Sequence, residues 1–441
     1  MRRGLALAAL PLAGLAGPAA AQDAAHYWTF GYGPIGQLTE GTLVGGVSDL
    51  SSIYYNPAAC ALIERPRFVF SLNSIDIARL DDPNAAGPGL DLNQSVFRVV
   101  PSMVAFHLGP HEDGGNHFAA AFLSRYDTDV DVGFSAANVS PLSPDASASY
   151  GRFKLRLLEY WAGVNWSRRV SRHVSLGISS FFGYRAQRIR RTLAVEQLSD
   201  SLSRGAFVGR EDEYDHLRLL AKLGVAWRPG DWELGATVTA PGFKLWGKGK
   251  TVFNATVASG TGTNLLSAST QQDLDANFEA PWSIAAGATR RFGSTKVHTT
   301  VEWVSAISVY DILKLEPAPV AGSPQTIPLF YQGEALSVVN LGMGFEHQLG
   351  ESVRAYGGAA RNKSSYVAGR DTFSPWDLTD ITLGLSVDRG RRRLALGVGY
   401  AWGSGELQQL VGPPDESGPL PNRPGRYSRW RISLGASFNN D

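Results

Sequence analysis

Large apolar residues alternate with small or polar residues along most of the chain from about residue 65 onward. In the clearest segment, Leu394, Leu396 and Val398 alternate with Ala395 and Gly397. A period of two is typical of strands that have one apolar face. The pattern predicts about 14 strands, near residues 65–78, 95–108, 116–130, 150–168, 172–194, 213–228, 231–243, 279–292, 295–310, 336–348, 352–361, 379–388, 391–402 and 427–438.

The connections between the predicted strands alternate between short turns and long segments. A soluble β-sandwich shows the same period of two but gives no reason for alternating connections. Outer-membrane barrels have short periplasmic turns, long external loops and an even number of strands. The sequence therefore predicts an all-β fold, a transmembrane antiparallel β-barrel of about 14 strands. The long segments, rich in Gly, Pro, Ser, Asp and Asn, are predicted at 79–94, 131–149, 195–212, 244–278, 311–335, 362–378 and 403–426.

The N-terminus has the charged, apolar and small-residue order of a secretory signal peptide. Arg2 and Arg3 precede an apolar stretch, and three alanines follow at 19–21. We therefore expect residues 1–21 to be a signal peptide. No later segment offers the roughly 18 consecutive apolar residues of a membrane-spanning helix, which excludes a helical membrane protein. The expected location is the bacterial outer membrane.

Composition and charge exclude several other classes of protein. The formal net charge of +1 gives no electrostatic footprint for nucleic acid. The single cysteine, Cys60, cannot form an internal disulfide, which excludes a small disulfide scaffold. His107, His111 and His117 cluster around one turn, but no acid or cysteine spacing there matches a metal site. We expect neither a metal nor a cofactor.

Residues 22–64 do not follow the strand pattern. They are rich in glycine and end in an Asn-Pro step at Asn56 and Pro57. A barrel of about 14 strands is too wide for side chains alone to fill. We therefore expect residues 22–64 to form an N-terminal hatch, or plug, inside the lumen, and residues 65–441 to form the barrel.

Residues 45–58 read GGVSDLSSIYYNPA. This run resembles the hatch signature of the FadL-type outer-membrane transporters of long-chain fatty acids and aromatic hydrocarbons, in which a Gly-rich stretch and an acidic residue precede Asn-Pro-Ala. The segments at 232–237, 280–287, 301–303 and 341–346 look like strand blocks of the same family in the same order, so the resemblance covers nearly the whole mature chain. It implies a hatch-containing barrel of about 14 strands, with ligand diffusing through a gap in the wall.

The residues expected to form the hatch or gate are Asp49, Tyr54, Tyr55, Asn56 and Pro57. An Asn-Pro step favours a turn, because the Asn side chain bonds to nearby backbone and Pro removes a donor. That turn either holds the hatch against the wall and defines the closed gate, or is a structural turn only. Asp49 either pairs with a lumenal Arg or Lys and locks the hatch, or is a solvated loop carboxylate.

Four cations at inward-facing strand positions are candidates for ligand binding: Arg218, Lys222, Arg354 and Arg431. A fatty acid needs an apolar sleeve for its tail and one or two cations for its carboxylate, because a bare charge in an apolar site costs several kcal/mol. Porin-like lumens carry such charges in any case. The substrate is therefore left open between fatty acids and hydrocarbons.

The function expected from these observations is passive uptake of hydrophobic small molecules, from the external loops through the lumen to a lateral gap gated by the hatch. The alternative is a barrel that serves as a shuttle or anchor for secreted proteins. We do not expect an enzyme, because no strand places a Ser and a His together at a lipid-facing, external site. The expected partners are a hydrophobic ligand, outer-membrane lipid and lipopolysaccharide, with no nucleic acid and a monomeric barrel.

Overall fold

The structure is a computed structural model that describes residues 19–20, 31–63, 66–82, 92–109, 115–139, 146–198, 203–259, 264–365, 367, 376–408 and 422–439. Most of the expected signal peptide lies outside these residues, apart from Ala19–Ala20, which pairs in parallel with residues 331–332. Among the described residues, no helix is both long enough and apolar enough to cross a membrane.

Fourteen antiparallel strands form a closed barrel. Each strand pairs with its neighbours in the chain, and the last strand pairs with the first. Every strand expected from the period-two pattern is present, with its ends shifted by up to ten residues. The strands are β1 Pro66–Asp82, β2 Leu92–Leu108, β3 Asn116–Val139, β4 Ala146–Arg169, β5 Val174–Leu198, β6 Ser203–Trp227, β7 Trp232–Thr239, β8 Ser283–Phe292, β9 Thr295–Val304, β10 Val338–Gln348, β11 Val353–Asn362, β12 Asp377–Arg389, β13 Arg392–Gln408 and β14 Asn422–Asn439.

The large apolar residues of the strands face outward. In β13, Leu394 is 60% exposed and Leu396 is 54% exposed, whereas Ala395 between them is 6% exposed. An apolar outer face and a lumen lined by small or polar residues are what a barrel surrounded by lipid requires. The alternation in the sequence therefore gives the correct facing of β13, whereas large apolar residues in the upper parts of β3 and β4, such as Phe134 and Leu155, face inward.

Two of the segments expected to be long loops contain strands. Residues 243–259 and 265–275 form a hairpin that pairs with the upper part of β6 and continues the wall beyond β7 and β8. The frequent Gly, Ser and Asn residues of this segment predict a loop. Residues 251–257, however, alternate in the manner of a strand. The segment after β9 contains the paired strands Ile307–Leu313 and Tyr331–Ala335, and the two-residue strands Ala318–Pro319 and Thr326–Ile327.

Residues 31–63 lie inside the barrel, near the end that carries the short turns. They form two short helices, α1 (Gly33–Gly36) and α2 (Ser52–Tyr55), and a 3₁₀ helix, Pro57–Leu62. Nearly all of these residues are buried. We use the name hatch for residues 31–63.

Glycines of the wall allow the hatch backbone to approach closely. A Cβ atom at Gly235 would lie 2.0 Å from the carbonyl oxygen of Val44, and one at Gly177 would lie 2.5 Å from the carbonyl of Pro57. Only glycine fits where two backbones meet at this distance. The wall glycines whose Cβ would meet the hatch are Gly177, Gly224, Gly235, Gly287, Gly344, Gly358, Gly384, Gly397 and Gly435.

Candidate functional site

Asn56 joins the 3₁₀ helix, the rest of the hatch and the barrel wall. Its Oδ1 accepts a hydrogen bond from the Ala58 N–H at 3.2 Å, which caps the 3₁₀ helix. Its Nδ2 donates to the carbonyl oxygens of Val44 in the hatch and Val225 in β6, both at 3.0 Å. Pro57 then occupies the first turn of the helix, where an N–H is not needed. The expected local turn is therefore present, and the same side chain also bonds to the wall.

Wall side chains satisfy the hatch backbone around this turn. A segment that crosses the lumen cannot join the wall ladder, so its buried carbonyl groups need other donors. Side chains of β4 and β5, together with one arginine that follows β6, supply them at distances of 2.7 to 3.3 Å. The donor and acceptor pairs are Ser179 to Ile53, Asn165 to Pro57, Ser175 to Ala58, Arg169 to Ala61 and Arg228 to Leu62.

An ion pair between hatch and wall exists, but its carboxylate is Glu40. Arg431 of β14 donates to both Glu40 oxygens, at 2.7 and 2.9 Å, and Thr382 of β12 donates to the same carboxylate. Glu40 has φ of 49°, in the left-handed region that non-glycine residues rarely adopt, which indicates that its surroundings hold it in place. Asp49, the carboxylate expected to lock the hatch, forms no salt bridge among the described residues, so its part in a lock stays a prediction.

Asp49 is also not a solvated loop carboxylate, because it is 4% exposed. Its Oδ1 accepts a hydrogen bond from the Ser51 N–H at 2.8 Å. Burial raises the pKa of Asp49 above its usual range. Asp49 therefore shapes a turn within the hatch.

Burial also raises the pKa of Cys60 to about 11, so that its thiol is neutral and unreactive at pH 7.

A cavity of about 70 Å³ lies directly above the hatch, on the side of the long connections. The ring of Tyr54 forms its floor, and the centroid of this ring lies 6.2 Å from that of Trp161. Phe278 closes it from the opposite side and lies 4.2 Å from the guanidinium of Arg185 and 4.7 Å from that of Arg218. We call this space the lumenal cavity. Its aromatic side chains provide apolar contact surface, and a ligand would have to widen the space, because ligand pockets usually measure about 300–1,000 Å³.

The lumenal cavity also holds buried charges. Glu159 accepts hydrogen bonds from Arg185 at 3.0 Å and Arg218 at 2.6 Å, so this carboxylate is fully paired. Lys222 is 6% exposed, and the centroid of the Tyr54 ring lies 4.8 Å from its ammonium nitrogen. The lining carries three cations and two carboxylates, an excess of one positive charge: Arg125, Arg218, Lys222, Glu159 and Glu302.

The barrel wall is interrupted beside the lumenal cavity. β2 pairs with β3 only as far as Met103 and Leu123, although both strands continue further. β3 then forms a bulge with Arg125 as the extra residue. The Ser124 carbonyl at this bulge accepts a hydrogen bond from the Tyr32 hydroxyl of the hatch at 2.9 Å. Because Arg125 lines the cavity, the hatch, the interrupted wall and the cavity meet at one point.

Below the hatch, the lumen opens into a strongly polar cavity of about 560 Å³. Several of its charged side chains form salt bridges. Glu233 lies 3.3 Å from Arg228 and 3.5 Å from Lys296, and Arg354 lies 3.5 Å from Glu346. An apolar molecule gains nothing from such a surface.

The four cations expected to bind ligand lie at different heights in the barrel. Arg218 and Lys222 line the lumenal cavity. Arg354 lines the polar cavity below the hatch, and Arg431 is bound to Glu40. The period of two identifies inward-facing positions, but their height depends on the register between strands.

Sequence reasoning did not find Glu40, Arg125, Glu159, Trp161 or Phe278. The sequence pattern gives no signal for Arg125, because the large residues Phe118, Phe122, Val132 and Phe134 of β3 all occupy even positions. In the structure Phe118 and Phe122 face outward but Val132 and Phe134 are buried, which is the change of facing that a bulge produces. Nothing in the local sequence distinguishes Glu40 from a surface carboxylate.

The fold of the chain was compared with known proteins. No family model matches the chain, and no curated protein sequence matches it. Several solved structures match over nearly its whole length. The toluene transporter TodX of Pseudomonas putida has 14% identity and a TM-score of 0.62, with 93% of this chain and 99% of that chain covered. A FadL homologue of Pseudomonas aeruginosa has 12% identity and a TM-score of 0.59, with 92% and 98% covered.

The toluene transporter TbuX of Ralstonia pickettii has 15% identity and a TM-score of 0.58, with 93% of this chain and 99% of that chain covered. Identities this low establish a common fold and leave the ligand undetermined. The resemblance read from residues 45–58 therefore agrees with the barrel and its enclosed N-terminal segment. The chain has the FadL-type fold, a closed 14-stranded antiparallel β-barrel.

Proposed function

We propose that this protein is an outer-membrane channel for the passive uptake of hydrophobic small molecules, either long-chain fatty acids or hydrocarbons. The solved structures of the same fold are described as a FadL homologue and as toluene transporters. The observation that carries the proposal is the lumenal cavity, which is lined by aromatic rings and lies between the hatch and the interrupted β2/β3 wall.

The ligand's route runs from the long connections to the lumenal cavity and then sideways through the β2/β3 gap. The polar cavity below the hatch supports this direction, because an apolar molecule that left along the barrel axis would have to cross paired charges. The hatch controls the gap through Tyr32, whose hydroxyl bonds to the bulge of β3. The surrounding partners are outer-membrane lipid and lipopolysaccharide, and the barrel works as a monomer.

Of the two ligand classes, Lys222 favours molecules with an anionic head group. Its ammonium group is buried and lies at the cavity floor beside the Tyr54 ring, and it forms no salt bridge among the described residues, although Glu302 lines the same cavity. A ligand carboxylate would supply a directly hydrogen-bonded partner, and a hydrogen bond between charged groups contributes about 1.5–3 kcal/mol.

The test compares uptake of oleate and toluene by vesicles that contain the protein and by empty vesicles. The wild type is expected to accelerate uptake, and Lys222→Met is expected to reduce oleate uptake about tenfold or more, as the loss of one charge-assisted bond implies. Toluene uptake should be unchanged. The matched control is Lys244→Met, since Lys244 pairs with Asp275 in the hairpin that continues the wall. No acceleration of either ligand by the wild type would overturn the proposed function, and a stoichiometric secreted protein recovered with the barrel would favour the shuttle or anchor instead.

A further inference from the structure

The barrel wall has a second interruption, between β7 and β8. The ladder of these strands ends where Thr239 pairs with Ser283. It resumes only where Lys248 pairs with Asp275, in the hairpin that continues the wall. In the described part of the chain, a single backbone hydrogen bond crosses between these two pairs, at 3.4 Å and at the upper end. We call this stretch the β7/β8 window.

Each edge of the window has a proline where an N–H group would point into the opening. Ala240 donates its N–H to β6, so the next residue of an extended strand directs its N–H toward β8, and that residue is Pro241. On the other edge, Trp282 bonds to Ser305 on the β9 side, so the preceding residue faces β7, and that residue is Pro281. Because proline has no N–H, neither edge leaves an unpaired donor at this position.

The lumenal cavity reaches both edges of the window. On the outside, the edges carry large apolar side chains, of which Phe243 is 71% exposed, Trp282 is 49% exposed and Trp246 is 45% exposed. The window therefore joins an aromatic cavity to an aromatic outer surface. The cavity-lining residues at the edges are small or short: Thr239, Ala240, Gly242, Ala280, Pro281 and Ser283.

The segment on the β8 side of the window is fastened to the side away from β7. Asn277 donates its N–H to the Ile312 carbonyl at 2.9 Å, and the Glu279 N–H donates to the Tyr310 hydroxyl at 3.1 Å. Phe278, between them, is 3% exposed and covers the cavity from inside. Movement of this segment away from β7 would break no ladder, so the window can widen at little cost in backbone hydrogen bonds.

We propose that the β7/β8 window is a second lateral opening, through which apolar molecules dissolved in the surrounding membrane enter the lumenal cavity. This inference rests on the proposed function and adds an entrance to it, distinct from the β2/β3 gap. Its substrates are slender apolar molecules that partition into lipid, because small residues line the passage and aromatic rings surround its outer mouth.

The test uses an alkane that carries a photoactivatable diazirine, dissolved in the bilayer of vesicles that contain the full-length protein. After irradiation, mass spectrometry maps the labelled peptides. In the wild type, label is expected on the peptides of Leu220 and Phe278, which line the cavity. Label on Leu223, 54% exposed on the outside of β6, is the internal reference for contact with lipid.

Two variants close the window in different ways. Pro241→Val with Pro281→Val restores an N–H to each edge and allows the ladder to form, and Ala280→Trp fills the passage with a large side chain. Both are expected to lower labelling of the Leu220 and Phe278 peptides at least fivefold relative to Leu223. Pro101→Val, beside the β2/β3 gap, should leave labelling unchanged. Correct folding of each variant is checked by its resistance to unfolding in detergent without heating.

Unchanged labelling in both window variants would overturn the inference, and so would a loss of labelling confined to Pro101→Val. Absence of label from the cavity of the wild type would also overturn it. The uptake assay with oleate and toluene is read separately. A labelled cavity together with no uptake would leave the window in place and overturn the channel.

Discussion

The two faces of the hatch differ in how their charges are arranged. On the lower face, Glu233 forms salt bridges with Arg228 at 3.3 Å and with Lys296 at 3.5 Å. On the upper face, the Lys222 ammonium lies against the Tyr54 ring and forms no salt bridge among the described residues. Paired charges resist separation, because each would lose its partner. The salt bridges therefore oppose movement on the lower face, and binding of an anionic group at Lys222 on the upper face remains a prediction.

The largest expected effect concerns the ion pair between Glu40 and Arg431. Glu40→Ala leaves the Arg431 guanidinium buried without its carboxylate, and we expect the hatch to lose about 3–5 kcal/mol of stability. Hydrogen–deuterium exchange of the hatch amides measures the loss as faster opening. The double variant Glu40→Ala with Arg431→Met removes both charges and should recover most of the protection. A double variant as poorly protected as the single one would show that the charge imbalance is not the cause.

The next effect concerns the close approach of hatch and wall. In Gly235→Ala, the new Cβ would meet the Val44 carbonyl oxygen at 2.0 Å, so the hatch has to shift. We expect a loss of about 3 kcal/mol and a higher ion conductance through single channels in a planar bilayer. Gly205→Ala is the control, since its nearest atom would lie at 4.0 Å. Equal conductance of the two variants would contradict this account of the wall glycines.

A smaller effect is expected from Asn56→Asp. The carboxylate can still accept from Ala58, but it cannot donate to Val44 and Val225, so one buried and one part-buried carbonyl lose this donor. The expected loss is about 2 kcal/mol, measured by the same exchange experiment. If the turn alone mattered, this variant would behave like the wild type and Asn56→Ala would be the damaging change.

The smallest effect concerns pH. The pKa of Asp49 is raised in the folded hatch by burial, above a value of about 3.9 in the unfolded chain. The folded state therefore binds the Asp49 proton more tightly than the unfolded state does. Protonation of Asp49 stabilises the fold fully below about pH 3.9, and this stabilisation is lost as the pH rises through the folded-state pKa. Asp49→Asn keeps an oxygen for the Ser51 N–H and should abolish this part of the pH dependence, as measured by hatch exchange at several pH values. An unaltered pH profile would assign it to another group.

The fold could be predicted from the sequence because lipid imposes a simple rule on each strand. In β13, Leu394 and Leu396 face outward and Ala395 faces inward. This alternation can be read from the strand alone, without knowing which strands pair with it. The hairpin at 243–275 was missed because it lies in a segment whose composition is that of a loop.

The site could be predicted only in part, because it depends on register and on contacts distant in sequence. The Asn-Pro step identifies Asn56 in the sequence. The role of Glu40 depends on its ion pair with Arg431 of β14, which lies 391 residues away in sequence. Lys222 and Arg354 look alike along their strands, and only the pairing between strands places one above the hatch and the other below it.

Helix α1 lies across the seam where the two ends of the barrel meet. The Gly33 N–H donates to the Ser71 hydroxyl of β1 at 3.1 Å, and Pro34 packs against Gly435 of β14. β14 is the last strand to be synthesised, and the hatch precedes every barrel strand in the chain. Contacts between such distant segments form slowly. The barrel therefore has to close around the hatch, which is synthesised before the barrel strands. A misplaced hatch would prevent β14 from pairing with β1.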